Sequence, residues 1–169
     1  MHPKSNTKNY KADTDQRVYR RSLYVYWKRT SPHPMMTLFD APSRESSCVG
    51  RTRSNTALQS LGMLNETQRI ETARAFAQML LTEEKNDKAR LERLYLTLTC
   101  RGPSPAEATA CGELLKSSRA NFTKSPKDAE ALLKVGMHQV DPKLPAIELA
   151  AWAQLINTVM ASDATITLY

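Results

Sequence analysis

Glycine is scarce in this sequence, which has five glycines and nine prolines in 169 residues. A glycine-rich barrel needs more glycine than this, and neither a GxxxxGK phosphate loop nor a GxSxG nucleophile elbow is present. No stretch approaches the roughly 18 apolar residues of a membrane-spanning helix. The first residues are polar and lack the apolar run of a secretion signal. Taken alone, the chain is expected to be cytoplasmic; as part of a longer protein, its targeting signal would be encoded upstream.

Metal-binding and haem-attachment motifs are missing as well. The three cysteines, Cys48, Cys100 and Cys111, share no CxxC spacing, and the three histidines form no HxxxH or HExxH pattern. His138 and Asp141 supply at most two ligands, which do not make a metal site. We therefore predict no metal and no cofactor, and we expect all three cysteines to be buried free thiols.

The charge of the chain is unevenly distributed. Residues 1–60 contain 11 basic and 4 acidic side chains, a surplus equal to the whole net charge of +7. Residues 61–169 contain 13 of each sign. Such an asymmetry indicates either a charged partner or internal pairing.

The basic region is predicted to begin with one helix, from about Asp13 to Arg29. Tyr19, Leu23, Tyr26 and Trp27 would share one face of it, and a basic stripe would lie opposite, formed by Arg17, Arg20, Arg21, Tyr24 and Lys28. The prolines at 32 and 34 then end the helix. No period holds over residues 31–55, where we expect an ordered irregular segment.

The rest of the chain is predicted to be helical. Helices are expected over 56–64, from a cap at Asn65 to 82, over 86–98, from a Ser104-Pro105 start, from Ser125 and over 144–161. The last of these is apolar around much of its circumference and should be the most buried. The fold class is therefore all-α, an orthogonal bundle of about six helices forming a single domain over 13–169 behind a flexible tail, 1–12.

Two interpretations of the basic region follow from the residues themselves. In the first interpretation the segment binds nucleic acid: its arginines neutralise phosphates, and Tyr24 or Trp27 stacks on a base. Trp27, however, lies opposite most of the arginines, and the segment matches no nucleic-acid-binding motif, so weak nucleic-acid binding ranks third among the functions considered. The favoured alternative is an arginine face that bonds acidic groups and carbonyls of the irregular segment.

Several motifs resemble a known family. They are RRSLYVYWKRT at 20–30, MTLFDAPSRE at 36–45, the cysteine at 48, RSNTALQSL at 53–61 and LNE at 64–66. Together they are similar to the C-terminal part of the planctomycete-specific domain of unknown function, and the helical tail extends the resemblance over about residues 13–169. The chain departs from the family pattern at Gly50, Ala57, residues 100–102 and residues 165–169.

The resemblance implies a bacterial protein that is exported or associated with the cell envelope. The domain often follows a cytochrome-c-like haem domain, but this chain has no CxxCH, so any electron transfer would belong to another domain. The resemblance brings no established activity and no agreed catalytic residues.

We therefore expect a non-catalytic structural or interaction module of a larger planctomycete-type envelope protein, whose partners are upstream domains of the same or a related protein. The alternative is a ligand-binding or catalytic subdomain in which the Arg, Asp and Glu side chains of 20–53 bind an anionic or carbohydrate-like ligand. No catalytic residue is assigned. The candidate interface or ligand pocket consists of Arg20, Arg21, Tyr24, Trp27, Asp40, Arg44, Glu45, Arg53, Asn55 and Gln59.

Overall fold

The structure, a computed structural model, describes residues 16–25, 27, 32–42, 47–50, 54 and 56–166. Two short 3-10 helices, Gln16–Tyr19 and Ser22–Tyr24, come first. Eight α-helices follow: α1 (Pro34–Leu38), α2 (Ala57–Asn65), α3 (Thr67–Glu83), α4 (Asp87–Thr99), α5 (Pro105–Lys124), α6 (Pro126–Leu133), α7 (Ala146–Met160) and α8 (Asp163–Ile166). These described residues contain no β-strand, so the all-α class is confirmed. Six of the helices have eight residues or more, the number that the sequence predicted.

The chain divides into two compact units, residues 1–62 and residues 63–169. The hydrophobic core of the second unit is built around α7, which packs against α3, α5 and α6. Eight residues of α7 are buried, among them Trp152, Leu149 and Ile156 with no exposed surface. Its alanines at 150, 151 and 153 leave room for the neighbouring helices to approach closely. The prediction that the last long helix is the most buried element is confirmed.

The start of α5 follows the expected capping chemistry. At α5, Ser104 Oγ accepts a hydrogen bond from Glu107 N at 3.3 Å, and Glu107 Oε2 accepts one from Ser104 N at 2.7 Å. These two bonds form the predicted capping box. The predicted cap at Asn65 is wrong, because Asn65 is the last residue of α2 and Glu66 caps α3 by accepting from Arg69 N at 2.8 Å. The cap and the amide that it accepts from are therefore both one position further along than predicted, at Glu66 and Arg69 instead of Asn65 and Gln68.

The predicted continuous helix over 13–29 is wrong within the described residues. Arg21 has φ −57° and ψ 147°, an extended conformation that separates the two 3-10 helices. Neither of these helices has a buried residue. Tertiary packing supplies most helical stability in proteins, and β-branched and aromatic residues such as Val18 and Tyr19 lower the helix propensity further. Hence no continuous basic stripe forms over the described residues 16–25.

The segment expected to be irregular contains the short helix α1, which begins with Pro34 at its first position. Asp40 follows the helix with φ 54°, in the left-handed region that is typical of a turn. Residues 31, 43–46, 51–53 and 55 lie outside the described residues. None of the described helices is long and apolar enough to cross a membrane.

The expectation of three buried thiols is wrong for two of the cysteines. Cys111 is buried in α5, whereas Cys48 and Cys100 are exposed, and all three are free. Cys100 ends α4 in the left-handed conformation, with φ 57° and ψ 16°. A C-cap residue leaves the helix for the surface, and the apolar character of cysteine does not alter that position.

Candidate functional site

Asp40, Ser54 and Gln59 form a hydrogen-bonded network in the first unit. Asp40 Oδ2 accepts from Ser54 N at 2.8 Å and from Ser54 Oγ at 2.5 Å. Gln59 Nε2 donates to Ser54 Oγ and to Leu38 O, both at 2.9 Å. The network therefore connects the end of α1 to the first turn of α2, and it brings together two of the candidate site residues, Asp40 and Gln59.

The rest of the Gln59 side chain caps α2. Gln59 Oε1 accepts from Thr56 N at 3.1 Å, and Thr56 Oγ1 accepts from Gln59 N at 3.3 Å, a capping box. Both polar atoms of this amide are thus hydrogen-bonded, as expected for a side chain with only 7% of its surface exposed. Gln59 holds the backbone at this point and presents no polar atom to a ligand.

Among the other candidate residues, Arg20, Arg21 and Tyr24 make no hydrogen bond to this network in the described part of the chain. Arg20, Arg21 and Tyr24 are exposed, and Trp27 is partly buried. Arg44, Glu45, Arg53 and Asn55 lie outside the described residues. Of the predicted Arg, Asp and Glu cluster, Asp40 is therefore the member whose hydrogen bonds the structure describes.

Apolar side chains of the first unit are exposed to an unusual degree. Leu23 is 80% exposed, Tyr24 64%, Val49 105% and Leu58 66%. Among the described residues of 16–62, Gln59 alone is buried. Exposed apolar side chains concentrated in one region are typical of surfaces that bind another molecule.

In the second unit, charged side chains connect three helices around a buried tryptophan. Glu148 of α7 accepts from Trp152 Nε1 at 3.1 Å and from Arg119 Nε of α5 at 2.8 Å. Arg119 also pairs with Asp87 Oδ2 of α4 at 2.8 Å, and Asp87 Oδ1 pairs with Arg90 at 3.0 Å. The Arg90 guanidinium lies 6.0 Å from the Trp152 ring centroid, at the outer limit of a cation–π contact, so the five residues form a closed ring. The hydrogen bond with Glu148 raises the pKa of Arg119 and keeps it charged.

A second polar cluster lies on α3 and holds the connection between α6 and α7. Arg74, 2% exposed, donates to the carbonyls of Leu133 and His138, each at 2.5 Å. Glu71, 4% exposed, accepts from His138 N at 2.6 Å. Gln78 Oε1 accepts from Asp141 N at 3.1 Å. Positions 71, 74 and 78 share one face of a helix, so a single polar stripe satisfies backbone groups of Leu133, His138 and Asp141.

Two reactive side chains in the core of the second unit, Cys111 and Tyr95, are poor nucleophiles. Burial raises the pKa of the Cys111 thiol, whose Sγ lies 3.6 Å from Tyr95 Oη. Burial, and then the hydrogen bond with Cys111, raises the pKa of Tyr95. Both groups therefore stay protonated at neutral pH, and a protonated thiol is a weak nucleophile. Within the described residues, no three His, Cys, Asp or Glu side chains lie close enough to hold a metal ion.

A groove of about 570 Å³ opens in the second unit between the start of α3 and helices α5, α6 and α7. Its lining is mostly apolar and includes Ile70, Phe122, Leu132 and Ala153. None of the candidate site residues lines it. The lining of the groove and the set of candidate site residues therefore have no residue in common.

Sequence reasoning missed most of the buried polar residues. The Thr-x-x-Gln spacing of 56–59 is a capping-box signal that would have assigned Gln59 a structural role. Ser54 lies inside a family-like motif and was not singled out. Glu71, Arg74 and the Arg119–Glu148 pair carry no local signal, because the groups that they bond across helices are 29 to 67 residues away in the sequence.

Comparison with known proteins identifies a family. The chain matches no curated protein and no solved structure. The family model described as "PSD1: Protein of unknown function (DUF1553)" matches residues 1–115, which is more than half of the chain. The match begins before the region in which the motifs were recognised and ends within α5. The chain therefore belongs to this family of proteins of unknown function.

Proposed function

We propose that this chain is a non-catalytic interaction module of a larger planctomycete-type envelope protein, and that its first unit binds upstream domains of the same or a related protein. The observation that carries the proposal is the composition of that unit's surface. Leu23, Tyr24, Val49 and Leu58 are mostly exposed, and no described apolar side chain of residues 16–62 is buried. Apolar surface of this kind gains free energy when a partner covers it.

The hydrogen bonds of two polar side chains also support this proposal. Asp40 accepts two hydrogen bonds from Ser54, and Gln59 caps a helix. A general base or a ligand-binding carboxylate needs access to the reacting group, whereas these side chains hold backbone segments together. The exported or envelope location is the part of the proposal that comes from the family resemblance.

Hydrogen exchange would test the proposed interface. Exchange would be measured on this chain alone and on the same chain joined to the polypeptide encoded upstream of Met1, or mixed with it. We expect slower exchange at 16–25 and 47–62 in the joined protein, because covered amides exchange more slowly. Amides of α7 serve as the internal control and should not change. A monomeric chain that is already protected across 16–62, and that is unaffected by the upstream polypeptide, would contradict the proposal.

A further inference from the structure

We propose that residues 16–25 bind an acidic protein surface that also offers apolar side chains, with Arg20, Arg21, Leu23 and Tyr24 as the main contacts. This inference rests on the proposed function, because it names the chemistry of the partner that the first unit would bind.

The positive charge of this segment is not balanced within it. Residues 16–25 contain three arginines and no Asp or Glu. Within the described part of the chain, Arg20 and Arg21 have no ion-pair partner. Asp40, the single carboxylate among the described residues of 16–62, already accepts two hydrogen bonds from Ser54. The two guanidinium groups are therefore available to carboxylates of another molecule, which arginine binds in a two-point geometry.

Exposed apolar side chains in the same segment favour a protein over a nucleic acid. Leu23 is 80% exposed and Tyr24 is 64% exposed, directly beside the two arginines in the sequence. An aliphatic side chain gains nothing from phosphates and has no flat ring on which a base stacks, whereas burying it against a protein is favourable. Tyrosine and arginine are also the residues that most often dominate the binding energy of protein interfaces.

The backbone keeps these side chains on the surface. Arg21 is extended between two 3-10 helices of four and three residues, and neither helix buries a residue. The segment therefore offers a short, exposed run of alternating charge and apolar surface. A regular helix in the same place would have put Arg21 and Leu23 on opposite faces, because residues two positions apart do not face each other.

Synthetic polymers can test the partner chemistry. The full chain would be titrated with a fluorescent random copolymer of glutamate and tyrosine, with polyglutamate, and with a single-stranded 20-nucleotide DNA, all at about 0.15 M salt. We expect the copolymer to bind at least about tenfold more tightly than the other two, because it alone offers carboxylates together with apolar surface. Equal or tighter binding of polyglutamate or of DNA would overturn the inference, as would failure to bind the copolymer.

Two variants and a matched control locate the contacts. The double variant Arg20→Glu/Arg21→Glu should raise the Kd for the copolymer at least about tenfold, and Leu23→Ser/Tyr24→Ser should raise it about fivefold or more. The control Lys116→Glu/Lys127→Glu makes the same change in net charge at exposed positions of the second unit. It should stay within about twofold, since charges outside the proposed contact act mainly through a screened field. If the control weakens binding as much as the arginine variant, net charge alone explains the binding and the inference is overturned.

The two proposals can fail separately. If the upstream polypeptide protects residues 16–25 from exchange while the copolymer does not bind, the interface stands and its acidic partner is wrong. If the upstream polypeptide gives no protection, the proposed function fails whatever the copolymer does. Circular dichroism checks that every variant retains its helices, and a variant that loses helix is excluded from the comparison. If the arginine-to-glutamate variant loses helix, Arg20→Gln/Arg21→Gln takes its place.

Discussion

Arg119 of α5 and Glu148 of α7 form a two-point ion pair in which both carboxylate oxygens accept from the guanidinium. The Nε to Oε2 distance is 2.8 Å, and Nη2 bonds Oε1. The same Oε1 accepts from Trp152 Nε1, so the ion pair also satisfies the only polar atom of a fully buried tryptophan side chain. The pair therefore links a partly exposed charge network to the centre of the hydrophobic core.

Removing this carboxylate should destabilise the second unit. We expect Glu148→Ala to lower the free energy of unfolding by about 2–3 kcal/mol, because Arg119 and the Trp152 indole both lose an acceptor. Glu148→Gln should lower it by less, since the amide oxygen still accepts from Trp152. Urea denaturation measures both values. Glu113→Gln, an exposed glutamate of α5, is the matched control and should change stability by no more than about 0.5 kcal/mol. Equal effects at 113 and 148 would mean that the ion pair does not contribute.

Two glycines should respond to alanine with opposite signs. Gly136 has φ +85°, and a Cβ built there would lie 2.4 Å from Glu71 Oε2, an atom of the cluster that holds the α6–α7 connection. Gly136→Ala should therefore lower the unfolding free energy by about 1–3 kcal/mol. Gly112 lies in the middle of α5 with no atom within 4 Å of the added Cβ. Gly112→Ala should raise it by about 0.5–1 kcal/mol. Thermal unfolding measures the Tm of both variants. Shifts in Tm of the same sign would contradict the prediction.

The capping box of α5 should make stability depend on pH. Hydrogen bonding by Arg101, and then by the Ser104 backbone, lowers the pKa of Glu107 from 4.5 to about 2. The unfolded chain therefore binds this proton more readily than the folded chain does. The stabilisation is complete above about pH 4.5 and is lost as pH falls towards 2. We expect the Tm difference between the unsubstituted chain and Glu107→Gln to shrink over that interval, and a difference that stays constant from pH 6 to pH 2 would disprove the effect.

The three thiols should react in two classes. Cys48 and Cys100 are exposed, whereas Cys111 is buried and its pKa is raised by that burial. An aromatic disulfide reagent at pH 8 should therefore modify two thiols quickly and the third only after denaturant is added. Cys111→Ser should leave the rapid phase unchanged and remove the slow one. Three rapidly reacting thiols in the native chain would show that α5 is not packed as described.

The sequence and the structure agree best where signals are local. The start of α5 is written in four consecutive residues from Ser104 to Glu107, and the capping box forms as expected. The apolar pattern of α7 likewise predicts its burial. The helix predicted over 13–29 failed because an amphipathic pattern stabilises a helix only when its apolar face is covered, and the described residues of that region bury none of theirs.

The structure brings together two of the candidate site residues. Asp40 and Gln59 were chosen from family-like motifs, and the structure joins them through Ser54, which the sequence did not single out. Arg20, Arg21 and Tyr24 are exposed, and their role remains a prediction.

By itself, the sequence determined the all-α class, the starts and ends of most helices, and the burial of α7. It also determined that the net positive charge lies in the first sixty residues. Each of these depends on hydrophobic period, on capping residues a few positions apart, or on composition. The tertiary structure alone decided which polar side chains meet. Arg74 reaches carbonyls 59 and 64 residues away, and Arg119 reaches Glu148 across 29 residues. No short-range pattern encodes such pairs, because they form only when packing of the apolar faces brings separate helices together.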